Sequence, residues 1–287
     1  PNTGVIVVNG TAGDDTLTVD FSAGDPRANI TFNGGAQATA AGDGLIIIGD
    51  GVDDQAIYTP NVATKGNGVV SVNLGASTRT VTFTGLEPVD ITGMAVATLS
   101  LPGAADVLTI AEGVDFLSGG TNQAIQVSGA SGGVVIESAA FWNNTTVVID
   151  TTGTDGNDTI NINETNNAHG NVNLTITTGT GTDVVNINGA VAQPNNGNLT
   201  ISSVTINLPN AASDVSTSGS GTIGLTATQN IALSSGSSLT TVNGGVTLVA
   251  NAGPLTGDFV GIDLDDADIT TSGTGAISLT GTGGNTA

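Results

Sequence analysis

Short apolar–polar alternations, each closed by glycine, asparagine, aspartate or serine, limit what this chain can fold into. In Thr16-Leu17-Thr18-Val19-Asp20-Phe21 the odd positions are apolar and the even ones polar. Asn171-Val172-Asn173-Leu174-Thr175-Ile176-Thr177 repeats the rule, as do Val204-Thr205-Ile206-Asn207-Leu208 and Val260-Gly261-Ile262-Asp263-Leu264. Successive side chains of a strand point to opposite faces, so each stretch has one face to bury and one to wet. Helix formers are scarce. Lys and Arg together number 3 and Met 1, whereas Gly numbers 43, and each Gly inside a helix costs about 1 kcal/mol relative to Ala. The chain is read as all-β.

The stretches recur roughly every ten residues, a rhythm shared by sandwiches and solenoids. A parallel β-solenoid (β-helix) is favoured over tandem β-sandwich domains. Aromatics are only 3% of the chain, with a single Trp142 and a single Tyr58, whereas sandwich cores lean on such residues. Inward positions are Val, Ile, Leu and Ala, which stack in identical layers, and outward positions are Thr, Asn, Ser and Asp. The organisation expected is one continuous repetitive domain over 1–287, less regular in 1–150 and more regular in 151–287. The opening Pro1-Asn2-Thr3-Gly4 has no signal-peptide pattern, and the chain stops at Asn285-Thr286-Ala287, so it is read as a piece of a longer protein.

A weak internal repeat runs through the chain. Ala12-Gly13-Asp14-Asp15-Thr16-Leu17-Thr18-Val19 matches Gly103-Ala104-Ala105-Asp106-Val107-Leu108-Thr109-Ile110. Asp155-Gly156-Asn157-Asp158-Thr159-Ile160-Asn161-Ile162 and Thr180-Gly181-Thr182-Asp183-Val184-Val185-Asn186-Ile187 are two further copies. The shared unit is a glycine-containing turn, an Asp and a strand. Glycine permits positive φ, and Asp can bond its own turn backbone. The spacing is irregular, and no two copies are adjacent in sequence.

Asp155-Gly156-Asn157-Asp158-Thr159-Ile160 resembles half of the haemolysin-type calcium-binding nonapeptide, and Gly13-Asp14-Asp15-Thr16-Leu17 is a looser version. Gly245-Val246-Thr247-Leu248-Val249-Ala250 through Ser272-Gly273-Thr274-Gly275-Ala276-Ile277-Ser278-Leu279 is similar to large bacterial β-strand-repeat surface proteins of filamentous-haemagglutinin style. Calcium rolls carry consecutive nonapeptides, which this chain lacks. The resemblance therefore implies isolated calcium sites made of oxygen ligands, drawn from Asp14, Asp15, Asp155, Asp158 and Asp183. Calcium takes six to eight oxygen ligands, and Asp beside glycine-exposed carbonyls supplies them; the alternative is that these residues only close turns. Asp263 and Asp265 share a face of an extended strand, where two carboxylates repel unless a cation bridges them or solvent screens them. Asp50, Asp53 and Asp54 around Gly51 form a similar cluster.

The charge balance excludes other partners. With 25 acidic and 3 basic residues the formal net charge is −22. Arg27, Lys65 and Arg79 cannot make the cationic surface that nucleic acid or anionic membrane requires. No apolar run reaches the length of a membrane span, so neither nucleic-acid binding nor membrane insertion is expected. With no cysteine, thiolate catalysis and Cys-ligated metals are excluded. The one histidine, His169, sits in Asn166-Asn167-Ala168-His169-Gly170-Asn171 and reads as a surface turn residue rather than a general base. No Gly-x-Ser-x-Gly elbow or Gly-Lys-Ser/Thr phosphate loop occurs, and catalysis is not expected. Eight Asn-x-Ser/Thr sequons, such as those at Asn9 and Asn163, follow from the abundance of Asn and Thr.

The function expected is that of a structural or adhesive module in a large secreted or cell-surface bacterial protein. It would act as a stiff spacer or fibre-forming segment, stabilised by calcium. Its partners would be neighbouring repeats, further copies stacked end to end, or surface glycans. A carbohydrate-active β-helix enzyme and an S-layer or matrix component are the alternatives.

Overall fold

The computed structural model describes residues 4–163, 165, 169–253 and 255–285. All of its regular elements are strands. The first nine are β1 (Val5–Asn9), β2 (Thr16–Asp20), β3 (Asn29–Asn33), β4 (Asp43–Ile48), β5 (Gln55–Pro60), β6 (Gly68–Asn73), β7 (Thr78–Thr84), β8 (Leu86–Thr92) and β9 (Val96–Ser100). Next come β10 (Val107–Val114), β11 (Gln123–Ser131), β12 (Val134–Val135), β13 (Ala139–Trp142), β14 (Thr146–Asp150), β15 (Thr159–Ile162), β16 (Asn173–Thr177), β17 (Val184–Ile187) and β18 (Val191–Gln193). The last are β19 (Leu199–Leu208), β20 (Asp214–Thr217), β21 (Ile223–Leu233), β22 (Ser238–Thr241), β23 (Val246–Ala250), β24 (Ile262–Leu264), β25 (Asp268–Thr271) and β26 (Ile277–Gly281). The all-β expectation holds.

Twenty-two strands form one mixed sheet, and β18, β20, β22 and β25 form a second. Parallel pairing joins β2 to β4, β8 and β13 in turn. A longer parallel series runs β5, β9, β14, β16, β19, β21, β23, β26. A third runs β10, β15, β17, then the second half of β19. Antiparallel pairs interrupt the pattern at β5–β6–β7 and at β11 with β10, β12 and β13, so the large sheet is not the uniformly parallel one expected. The cause is local. Ser131 and Val134 pair across Gly132-Gly133, which take φ of 56° and 82°, and two residues of positive φ turn a chain straight back on itself. Among the described residues every antiparallel pair precedes residue 143.

The core follows from the alternation. β14 and β16 bury every second residue, as do β15 and β17. Leu174, Leu199, Ile223 and Val246 are register partners from strand to strand, each buried. Burying one such side chain is worth about 1.5–3 kcal/mol, and the register sets these side chains one above another. On the opposite faces, amides bridge strands: Asn186 Nδ2 donates to Asn161 at 3.1 Å and Asn207 Nδ2 to Asn186 at 3.0 Å.

Glycines set the corners. A Cβ on Gly221 would collide with the carbonyl oxygen of Gly197, one on Gly244 with that of Gly221, and one on Gly275 with that of Gly244. The hydroxyls of Thr217 and Thr241 donate to the carbonyls of Gly221 and Gly244, both at 2.6 Å, and Thr271 bonds Gly275 in the same way at 3.3 Å. This Thr-to-Gly corner is a second repeat. The expected burial of one face of Val260–Leu264 is met only in part: Ile262 is half-buried against the core, while Val260 is 58% and Leu264 42% exposed.

Candidate functional site

Three of the four repeat copies, separated in sequence, are stacked in space. β10 pairs with β15 and β15 with β17, placing Val107, Thr159 and Val184 in register. The Asp before each strand therefore forms a column of Asp106, Asp158 and Asp183, all buried. The N–H of Asp106 donates to Asp158 Oδ1 at 2.8 Å, and the N–H of Asp158 donates to Asp183 Oδ1 at 2.9 Å. Asp158 Oδ2 accepts the Thr151 hydroxyl at 2.6 Å. Burial, reinforced by the Asp158 charge, pushes Asp106 up to about 6 against the hydrogen bonds it accepts. Asp183 is raised as well, chiefly by burial.

The first copy uses the same device elsewhere. The N–H of Asp15 donates to Asp43 Oδ1 at 2.7 Å, and Asp43 is fully buried. Sequence reading missed Asp43, although Gly42-Asp43-Gly44-Leu45 carries the turn–Asp–strand signal. Asp15 Oδ2 also accepts the Thr11 N–H at 2.6 Å. Asp14 accepts the N–H groups of Ala38 and Thr39 and the Thr39 hydroxyl, and that hydroxyl is the main cause holding its pKa below the ordinary value. Asp155 accepts the N–H of Thr180 at 2.7 Å and its hydroxyl. The Asp43, Asp14 and Asp155 carboxylates each tie a turn to the neighbouring layer, whereas the Asp15 carboxylate closes its own turn.

Asp263 and Asp265 are exposed. The one described group of three carboxylates close enough to share an ion is Asp50, Asp53 and Asp54, whose ligand oxygens lie within 4.8 Å of one another. Asp50 Oδ1 already accepts the Val52 N–H at 2.8 Å, and the Asp50 N–H donates to Asp54 Oδ2 at 3.0 Å. Burial raises Asp54, and the neighbouring Asp50 and Asp53 charges add to the rise. Oxygen ligands are gathered here; in the Asp106–Asp158–Asp183 column both Asp158 oxygens and the Oδ1 of Asp106 and of Asp183 accept backbone or hydroxyl donors, while Asp106 Oδ2 and Asp183 Oδ2 are buried without a hydrogen-bond partner among the described residues.

His169 departs from its expected surface position. It is 1% exposed, its Nδ1 accepts the Asn171 N–H at 3.0 Å, and burial pushes its pKa down to about 4. It packs beside a polar column in which Asn144 accepts the Met94 N–H and donates to Ile91 and Asn171. Asn166, Asn167 and Ala168 of that loop lie outside the described residues, as do Pro1–Thr3, Thr286 and Ala287.

A cleft of about 500 Å³ is lined by Lys65, Glu87, Phe116, Leu117 and Glu137 among others. Lys65 Nζ lies 2.6 Å from Glu87 Oε1 and 3.8 Å from Glu137 Oε1. Glu137 is 4% exposed and its Oε1 has no hydrogen-bond partner among the described residues. Burial pushes Glu137 up to about 7, with Lys65 opposing. Fully buried Asp90 holds the opposite wall by accepting the N–H groups of Phe116 at 3.3 Å and Leu117 at 2.8 Å. These residues come from separate segments with no shared local spacing, so sequence reading did not connect them.

No protein-family model, curated protein or solved structure matches the chain.

Proposed function

We propose that this chain is a structural module of a large secreted or cell-surface bacterial protein, a stiff spacer whose Thr146–Gly281 part is a parallel β-solenoid. The observation carrying this reading is the in-register column Leu174, Leu199, Ile223, Val246 and Ile277. Each strand layer is bonded to the next by backbone, asparagine and aspartate ladders, a geometry that resists bending because every layer is pinned at several points. Strands β1 and β26 leave Val5, Val7, Ile277 and Leu279 exposed, and neighbouring repeats or a second copy are the proposed partners there.

The total exposed area is 11404 Å², close to the roughly 11,100 Å² expected of a compact monomer of this mass. Stiffness in the parent protein would come from stacking onto further layers, not from the reach of this stretch alone. Calcium stabilisation belongs to the proposal, with Asp50, Asp53 and Asp54 as the best-gathered ligands.

Negative-stain microscopy together with a broad polysaccharide-hydrolysis panel tests the reading. Discrete short particles, or particles joined end to end, with no release of reducing sugar are expected. Hydrolytic release would overturn it in favour of an enzyme.

A further inference from the structure

We propose that the cleft between Lys65, Glu87, Glu137 and Phe116 binds a short stretch of neutral oligosaccharide. The proposal stands on this cleft alone and goes beyond the scaffold reading. The cavity, about 500 Å³, lies within the range of small-molecule sites, about 300–1,000 Å³. Its polar groups converge on one place: a single ammonium stands between two carboxylates. Glu137 Oε1 is buried at the cleft wall without a hydrogen-bond partner among the described residues, the Lys65 ammonium standing 3.8 Å away. A buried polar atom left unpaired is destabilising by about 1–3 kcal/mol, and a ligand hydroxyl entering the cleft would supply what it lacks.

The ligand class follows by matching charge and shape. An anionic ligand would face Asp14, Glu87 and Glu137, with Lys65 the one cation lining the cavity. A metal ion would have to displace the Lys65 ammonium from Glu87. A cationic ligand would meet that same ammonium. A neutral polyol meets none of these penalties: its hydroxyls donate to carboxylates and accept from Lys65. Phe116, 37% exposed at the rim, offers an aromatic surface to the apolar face of a sugar ring. The rim is held in place, because Asp90 fixes Phe116 and Leu117 while Asp115 accepts the Gly120 and Asn122 N–H groups. Glu87 is engaged by Lys65 at 2.6 Å, and reversible binding is the activity proposed.

Cellotetraose, maltotetraose and chitotetraose would each be titrated into the full chain, with saturation-transfer NMR and calorimetry as readouts. Saturable binding of at least one is expected. Phe116→Ala and Lys65→Met should each weaken that binding about tenfold, or 1.4 kcal/mol, while Thr247→Ala, on a distant strand, leaves it unchanged. Melting curves would establish that the variants fold. Should Phe116→Ala fail to fold, Phe116→Leu, which keeps the bulk and removes the ring, takes its place. Absence of saturable binding for all three sugars overturns the proposal, as does binding indifferent to Phe116 and Lys65, or cleavage of the bound sugar.

Discussion

The backbone N–H of Asp158 donates to the carboxylate of Asp183, 25 positions along the chain, at 2.9 Å. The same bond links Asp106 to Asp158 and Asp15 to Asp43. In each case an Asp at a strand entry, just before β15 and β17 or as the first residue of β4, serves as acceptor for the equivalent residue of the neighbouring layer. This satisfies a donor at the strand entry, where ladder pairing has not begun, and it fixes register at the corner.

Replacing an acceptor in this column should expose its value. Asp183→Ala leaves the Asp158 N–H buried without its partner, at about 1–3 kcal/mol. Asp158→Ala removes the acceptor for both Asp106 N–H and the Thr151 hydroxyl and should cost more. Asp183→Asn retains an acceptor oxygen and should fall between wild type and alanine. Urea denaturation measures all three.

The glycine column gives a sharper contrast. Gly244→Ala would place a methyl on the Gly221 carbonyl oxygen, and overpacking of this kind costs about 1–3 kcal/mol. Gly224→Ala in β21 meets nothing within 4 Å and should stabilise by about 0.4–1 kcal/mol through the unfolded chain. Melting temperatures of the two variants should move in opposite directions.

Stability should fall as pH rises from about 4 to 7. Burial raises Asp90 and Asp106 to about 6 and Glu137 to about 7, above their unfolded values near 4. The folded state then binds more protons than the unfolded one, so the stability these groups confer is complete below pH 4 and is lost as they ionise. His169 opposes the trend: lowered to about 4, it confers stability that is lost as pH falls from about 6.5. Glu137→Gln should flatten the fall and His169→Gln should steepen it, both read by chemical denaturation across the range.

Calcium dependence is checked by melting the protein with the ion and with chelator. Binding to the folded state raises stability by mass action, so calcium should raise the melting temperature and chelator lower it. Asp53→Asn should abolish the difference, whereas Asp158→Asn should leave it in place, because Asp158 is committed to protein donors.

Strand positions were legible wherever one face is covered. The alternation over Asn171–Thr177 and Val204–Leu208 corresponds to β16 and β19, because period-two burial leaves a period-two pattern. The antiparallel excursions were less visible, although Gly132-Gly133 between apolar runs is a hairpin signal. The turn–Asp–strand repeat was readable as a motif, but its stacking was not. Inserted strands β11 to β14 lie between Asp106 and Asp158, and they hide a neighbour relation that only pairing reveals. His169 was misplaced because a polar local sequence says nothing about what packs over it. The cleft was invisible for a related reason: Lys65, Glu87, Phe116 and Glu137 are ordinary residues until the fold brings them together.

In-register parallel stacking is tested most directly by disulfide trapping, since the chain has no cysteine of its own. Asn161 pairs with Asn186, and Asn186 with Asn207, across adjacent parallel strands. Adjacent strands lie about 4.8 Å apart, inside the range of about 4.4–6.8 Å between Cα atoms that a disulfide spans; two layers are about twice as far. Mass spectrometry after mild oxidation should find an intrachain bond in Asn161→Cys/Asn186→Cys and in Asn186→Cys/Asn207→Cys, and none in Asn161→Cys/Asn207→Cys. Failure of the adjacent pairs to close, or equal closure of the two-layer pair, would contradict the stacking on which the scaffold reading rests.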